Sequence, residues 1–305
     1  GQVSPSDDEE ENQYVNIKVT DKKGRWNGKV TYTNHKVRDE DSGYLYTACA
    51  FLNVEIILPD YQRFGILELK GNVASVEGYS LYHVQFSRFI VQSKLGNVVI
   101  LGEIKADTLI TNLHQGNLFI SKAKTGTRGG ALELIANVNT GNAAVTAETN
   151  LIDNDSKFHR VLVKSETGDI NVKVRPSNEE DLYHMGPATT SNLDLTARTV
   201  FGIVEARVQL FDNSQIVALK VSGARETKAS VSDLFSGRFN VESGQAKAKA
   251  KANVQALKGS TSVIEYDEKS DTVKKGTKTT SDGEDILKGH IDVVSEQSSA
   301  TLTFF

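Results

Sequence analysis

Cysteine is almost missing from this 305-residue chain. Cys49 stands alone, so no internal disulfide can form, and a chain this long needs none to build a core. A free thiol in the strand-like run Tyr46–Leu58 reads first as a buried core group, and second as a link between two copies. Proline is scarce: Pro5, Pro59, Pro176 and Pro187 are the full set. That scarcity suits backbone ladders, which need their N–H donors. No apolar run approaches the roughly 18 residues of a membrane-spanning helix. The longest early run, Ala48 to Leu58, is broken by Asn53 and Glu55.

An excess of basic charge is also lacking. Lys and Arg number 35 against 39 Asp and Glu, a net −4. This argues against a nucleic-acid binder, which carries a basic face, and against electrostatic docking on anionic lipid. Helical i, i+3, i+4 spacing is missing over any useful length, with weak candidates only at Ser232–Phe235 and Glu284–Leu287. Histidines at 35, 83, 114, 159, 184 and 290 form no zinc spacing. No Gly-x-Ser-x-Gly elbow is present, and neither KTGTRGG at 124–130 nor KKGTKTT at 274–280 is a phosphate-binding Walker loop. Thr127–Glu133 lacks the Asp of calcium-binding β-roll repeats, and Asp267, Glu268 and Asp271 read as a solvated loop. No catalytic residue, metal site or cofactor is therefore expected.

What is present is period two. Val15, Ile17 and Val19 alternate with polar residues, as do Leu132, Leu134, Ala136 and Val138, and later Ile170, Val172 and Val174. Strict alternation places every second side chain on one face of a strand. Onto this is laid a repeated phrase. VKSETGDINV at 163–172 returns as VQSKLGNVVI at 91–100, as ANVNTGNAAV at 136–145 and, more loosely, as FNVESGQAKA at 239–248. Written h-x-S-x-x-G-[ND]-h-x-h, with h apolar, it puts its glycine at Gly71, Gly96, Gly116, Gly141, Gly168 and Gly244. The end of the chain keeps the frame, with Ser298 in the glycine place. The third position holds Ser93, Ser165 and Ser295, but Leu113 and Val138 elsewhere.

Glycine and asparagine tolerate the positive φ that turns demand. The pairs Gly96-Asn97, Gly116-Asn117, Gly141-Asn142 and Gly168-Asp169 therefore read as turns between strands that point apolar residues inward, with Gly71 and Gly244 in the same role. A recurrence of 20–27 residues reads as an all-β, single-chain β-solenoid (β-helix), each period being one coil of short strands. An antiparallel β-sandwich built of hairpins is the alternative. Residues 1–12 form an acidic, disordered tail. The β-repeat region then runs from 13 to 175, a loop or seam fills 176–192, and a second β-repeat region of the same elongated domain spans 193–305. The polar stretch 265–285 reads as a surface loop.

The phrases VKSETGDINVKV, NVNTGNAAV and VQSKLGNVVI resemble the adhesin family of β-solenoid domains known as the DUF4097-like group. FSGRFNVESGQAKA and GHIDVVSEQSSATLTFF are similar to its fungal versions. Two repeats depart from the pattern by lacking the Ser, and residues 143–148 are unusually rich in Ala and Thr. The resemblance implies a non-enzymatic structural or adhesin-like protein acting through surface binding, its partner a cell-surface or glycan ligand. It brings no binding residues with it. Two other readings stand beside it. One is a self-assembling protein, a homo-oligomer or lattice that Cys49 could lock. The other is a polysaccharide-active β-helix enzyme. Secretion or cell-surface display is the favoured location, with a vacuolar or cytoplasmic assembly as the alternative. In a secreted chain Asn154, in Asn-Asp-Ser, would be a glycosylation acceptor. Tyr44, Tyr46, Tyr79 and Tyr82 read as half-buried strand aromatics ahead of sugar-stacking platforms.

Overall fold

Alternation of apolar and polar residues forces strands that bury one face, and the chain meets that demand by coiling. The structure, a computed structural model, describes residues 13–20, 25–32, 35–38, 45–48, 56–58, 63–79, 81–127, 129–152, 157–177, 191–244, 250–256, 263–279 and 288–305. The acidic tail, Cys49, Asn154, most of the 176–192 seam and residues 284–287 lie outside them. Among the described residues there are 23 strands and a single 3-10 turn, Leu81–His83.

Each rung of the stack contributes one strand to a first sheet and one to a second. The first sheet runs through β5 (Arg63–Val73), β7 (Gln85–Leu95), the far half of β8 (Val98–Gln115), β10 (Glu133–Thr140), β12 (His159–Thr167), β14 (Leu193–Phe201) and β16 (Val217–Gly223), all parallel. The second runs through β6 (Val76–Gly78), the near half of β8, β9 (Leu118–Lys124), β11 (Ala143–Thr149), β13 (Ile170–Pro176), β15 (Val204–Val208) and β17 (Thr227–Val231), again parallel. β8 serves both sheets because it bends at Gly102, whose φ is +79°. This is the β-solenoid, not the hairpin sandwich. The pairings β12–β14 and β13–β15 carry both sheets past the 176–192 segment without a break.

Register turns the repeat into columns. On the inner face of the first sheet, Leu67, Phe89, Leu109, Leu134, Val161, Leu195 and Leu219 stand one above another, and all are buried. Opposite them, Ile100, Ile120, Val145, Val172, Ala206 and Ala229 make the matching column of the second sheet. Each fully buried aliphatic side chain contributes about 1.5–3 kcal/mol of transfer free energy.

The stack does not follow chain order at its far end. β18 (Gly237–Ser243) and β19 (Ala252–Ala256) do not pack on β16 and β17. The last strands, β22 (Gly289–Ser295) and β23 (Ala300–Phe304), enter between them, parallel to both neighbours on each sheet. Ile291, Val293, Ala300, Leu302 and Phe304 thereby continue the buried columns. Beyond β18 the described part of the 265–285 stretch, residues 265–279, is not the surface loop its polarity implied. β20 (Val263–Lys269) and β21 (Val273–Thr279) form an antiparallel hairpin that closes the first sheet on β18. Its charged residues obey the strand period and hide it: Ile264 and Tyr266 pack on the core, and Lys278 is fully buried. The Lys278 ammonium donates to the carbonyls of Asp233 (2.6 Å) and Phe235 (2.9 Å) and lies 3.4 Å from the Asp233 carboxylate. Ser232–Phe235 is a turn, closed by Phe235 N–H to Ser232 O, rather than a helix. At the other end β1 (Gln13–Thr20) and β2 (Arg25–Tyr32) cap β5 antiparallel, and β3 (His35–Arg38) pairs separately with β4 (Leu45–Ala48).

This insertion makes a specific prediction. Ile291→Asp should strip the amide hydrogen-exchange protection of β18, β19, β22 and β23, while β10–β13 keep theirs. Uniform loss over the whole stack would show instead that the rungs melt as one unit.

Candidate functional site

The corners between the two sheets decide which residues share a surface. Gly96, Gly116, Gly141 and Gly168 lie at these corners with φ of +142°, +144°, +135° and +144°. Each is pressed against the corner before it. A Cβ on Gly141 would fall 1.9 Å from the Gly116 carbonyl oxygen, and one on Gly168 would fall 2.1 Å from that of Gly141. The next residue makes a ladder. The side-chain oxygen of Asn97 accepts from Asn117 N–H (2.8 Å), Asn117 from Asn142 (3.0 Å), Asn142 from Asp169 (2.8 Å) and Asp169 from Ile203 (2.8 Å). The serine of the phrase bonds across the same corner: Ser93 donates to Ala74 O, Ser165 to Gly141 O and Ser295 to Arg225 O.

Two expected corner glycines stand elsewhere. Gly71 lies inside β5 opposite Ser93, in the serine column, and Ala74-Ser75 makes that corner. Gly244 directly follows Ser243, which pairs with Ser295, so its phrase is displaced by two residues from the frame. It still meets a tight neighbour, the Glu296 carbonyl. A corner that the phrase misses is Gly202, stacked on Gly168 O, with Thr199 donating to that same oxygen at 2.9 Å. Threonine in the third position is the signal that finds it.

With the corners in register, the outward residues four and two places before each corner glycine also align. The first set is Gln92, Asn112, Asn137, Lys164 and Arg198, headed by Lys70 of β5. The second is Lys94, His114, Asn139, Glu166 and Val200. Between β5 and β10 these two columns line an open depression of about 460 Å³, together with Lys70 and Asn72. Asn137 donates its side-chain amide to Asn112 Oδ1 at 2.8 Å, and the Asn139 amide meets His114 Nδ1 at 3.1 Å. No Asp or Glu lines it. The repeat frame makes these columns legible in the sequence once the phrases are aligned on their glycines, but polar positions carry no signature until they share a surface.

Elsewhere two carboxylates share a lysine. Lys122 bridges Glu103 (2.8 Å) and Glu148 (3.1 Å), with Lys124 3.1 Å from Glu103 and Arg175 3.0 Å from Glu148. Burial pushes the Glu103 carboxyl up, but Lys122 and Lys124 outweigh it and hold the group below the usual carboxylate range. A general acid needs the opposite shift. No three His, Cys, Asp or Glu side chains gather as a metal site among the described residues. Tyr79 and Tyr82 are exposed rather than half-buried, the first outside a strand and the second in the 3-10 turn. His159 is a core histidine. Its Nδ1 accepts from Leu132 N–H at 3.0 Å and its Nε2 sits 2.7 Å from Asn150 O, which requires the Nε2–H tautomer. Burial pushes the imidazole below its ordinary pKa, opposed by the bond to Asn150. No family model, curated protein or solved structure matches this chain.

Two predictions follow from this geometry. Gly141→Ala meets both backbone strain and a carbonyl, whereas Gly102→Ala meets strain alone because nothing lies within 4 Å of it. The first should cost about 3 kcal/mol and the second about 1 kcal/mol in chemical denaturation; equal costs would refute corner stacking. His159 has a depressed folded pKa, so the unfolded chain takes up more protons below its ordinary value of about 6.5 and stability falls as pH drops through it. The melting temperature of the wild type should fall further between pH 7.5 and pH 5.5 than that of His159→Gln, and parallel falls would remove His159 from the linkage.

Proposed function

We propose that this chain is a non-enzymatic, adhesin-like β-solenoid that acts by binding a hydroxyl-rich ligand, a glycan, on the outer face of its first sheet. The carboxylate-free depression over β5–β10 carries this reading. Asn, Gln and Lys side chains offer paired donors and acceptors at fixed spacing, which is what sugar hydroxyls require. Glycoside hydrolysis typically needs two carboxyl groups flanking the bond, one with a raised pKa, and the depression holds none. The resemblance of the repeated phrases to the adhesin-like solenoid family points the same way. The ends favour a discrete molecule over a growing lattice. The first sheet ends in hairpins, and its edge strand β20 carries Glu265, Asp267, Glu268 and Lys269, the charged edge that resists strand addition.

A glycan array followed by calorimetry tests the proposal. Asn112→Ala with Asn137→Ala should weaken binding of a captured glycan at least ten-fold with the melting temperature nearly unchanged, and the glycan should be recovered intact. Release of reducing ends during incubation, or unaltered affinity in the double variant, would overturn it.

A further inference from the structure

The column that forms the floor of the depression continues past it. Lys70, Gln92, Asn112, Asn137, Lys164 and Arg198 occupy six successive rungs of the outer face. It holds three cations and no carboxylate, in a protein whose net charge is −4. Lys164 and Arg198 are exposed at one end, and Lys70 stands at the other, 2.8 Å from Glu68 on its own strand. One strand position away on the same face runs an aliphatic column. Ile90, Ile110, Ile135 and Leu162 pair rung by rung, lie outside the internal core and are half-buried or, for Ile90, buried. A cation-and-amide stripe beside an aliphatic stripe therefore runs along the stacking axis. Carboxylates stand around the stripe: Glu68 holds the β5 rung of the aliphatic column, where it pairs with Lys70, Glu166 lies beyond the depression, and Glu133 and Asp194 stand on either side of Arg160 beyond the aliphatic column.

We infer that the ligand is an extended anionic polysaccharide, a polyuronate-type chain lying along the solenoid axis with one sugar per rung. The inference rests on the surface-binding reading above. Rungs are spaced about 4.8 Å apart, so the six-rung column extends about 24 Å. That spacing is close to the length of one pyranose unit in an extended chain, so successive sugars meet equivalent positions. Each pyranose has an apolar C–H face and a polar edge. The aliphatic column takes the first. Amides in the middle take the hydroxyls, while Lys70, Lys164 and Arg198 take carboxylates at the two ends. A nucleic acid stacks its bases on aromatic rings, whereas neither column contains an aromatic residue.

Calorimetry with the full chain and oligogalacturonates of two to ten units, with cellohexaose as the neutral probe and a thymidine decamer as the nucleic acid, tests this. Affinity should rise with length to about six units and then level. The hexauronate should bind at least ten-fold tighter than cellohexaose and weaken as salt is raised from 50 to 300 mM. Asn112→Asp, which places a carboxylate in mid-column at nearly unchanged shape, should weaken the hexauronate at least ten-fold more than it weakens cellohexaose. Lys164→Ala with Arg198→Ala should remove most of the salt dependence, with melting temperatures confirming that both variants fold. Equal binding of neutral and acidic hexamers would overturn the charge assignment while leaving surface binding intact. Levelling at two units would overturn the axial arrangement. Thymidine binding as tight as hexauronate would overturn the glycan. Failure of every carbohydrate to bind would remove the surface-binding reading as well.

Discussion

Close approach of one corner to the next is the contact on which the rest of this molecule depends. A parallel ladder is specified by its backbone only up to a slip, and a slip by one residue would turn every buried side chain out to solvent. Here the corner glycine rests on the carbonyl of the corner before it, and the adjoining Asn or Asp accepts the next rung's N–H. The two contacts sit at the same place on every rung from Gly96 to Gly202. Between them they allow one register. They also explain why insertions are tolerated: the corner bonds join residues 22, 20, 25, 27 and 34 apart in sequence without loss of alignment. Extra residues leave the stack at positions other than the corner.

Once register is set, inside and outside follow from the period of two. Inward positions become columns of Leu, Val, Ile and Ala that exclude water along the full stack. Outward positions become columns too, and repetition gives them their chemical character. A single surface Asn has little meaning, but Gln92, Asn112 and Asn137 at equal spacing form a surface with its own periodicity, matched to a ligand that also repeats. Charge follows the same rule. A chain with a small net negative charge still presents a stripe free of carboxylates, because cations and amides recur in one frame and acids in others.

The far end shows a different constraint, which is how to stop. A parallel stack has no natural end, and its last strands would leave unpaired donors and acceptors. This chain builds the final rung early, folds a charged hairpin against it, and then returns with β22 and β23 to fill the gap behind. Lys278 joins these pieces. Its ammonium is buried, yet it is satisfied by two carbonyls and a carboxylate in the Asp233–Phe235 turn and lies 5.2 Å from the centre of the Phe304 ring. Phe235 stacks on Phe304, with Phe239 at its edge. The cap, the inserted rung and the preceding turn are thus held at a single point.

Much of this was legible without coordinates. Alternation dictated strands, the recurring Gly-Asn and Gly-Asp pairs dictated corners, and their near-constant spacing dictated coils in preference to hairpins, because each property is local and recurs. Ser93 and Ser165 were legible as members of the repeated phrase for the same reason. Gly71 and Gly244 misled because a turn residue inside a degenerate phrase looks the same whether it stands in the serine column, beside it or at the corner; only pairing with Ser93 and Ser295 tells these apart. The β20–β21 hairpin was hidden by its charge, since an edge strand at the end of a stack buries few side chains and so shows little apolar period. What tertiary structure alone decided is long-range. It placed β22 and β23 between earlier strands and brought Lys278 under Phe304. It also set Lys70 and Arg198 on one line. Those arrangements depend on which backbone edges remain unpaired once the stack has formed, and no local pattern of residues encodes that.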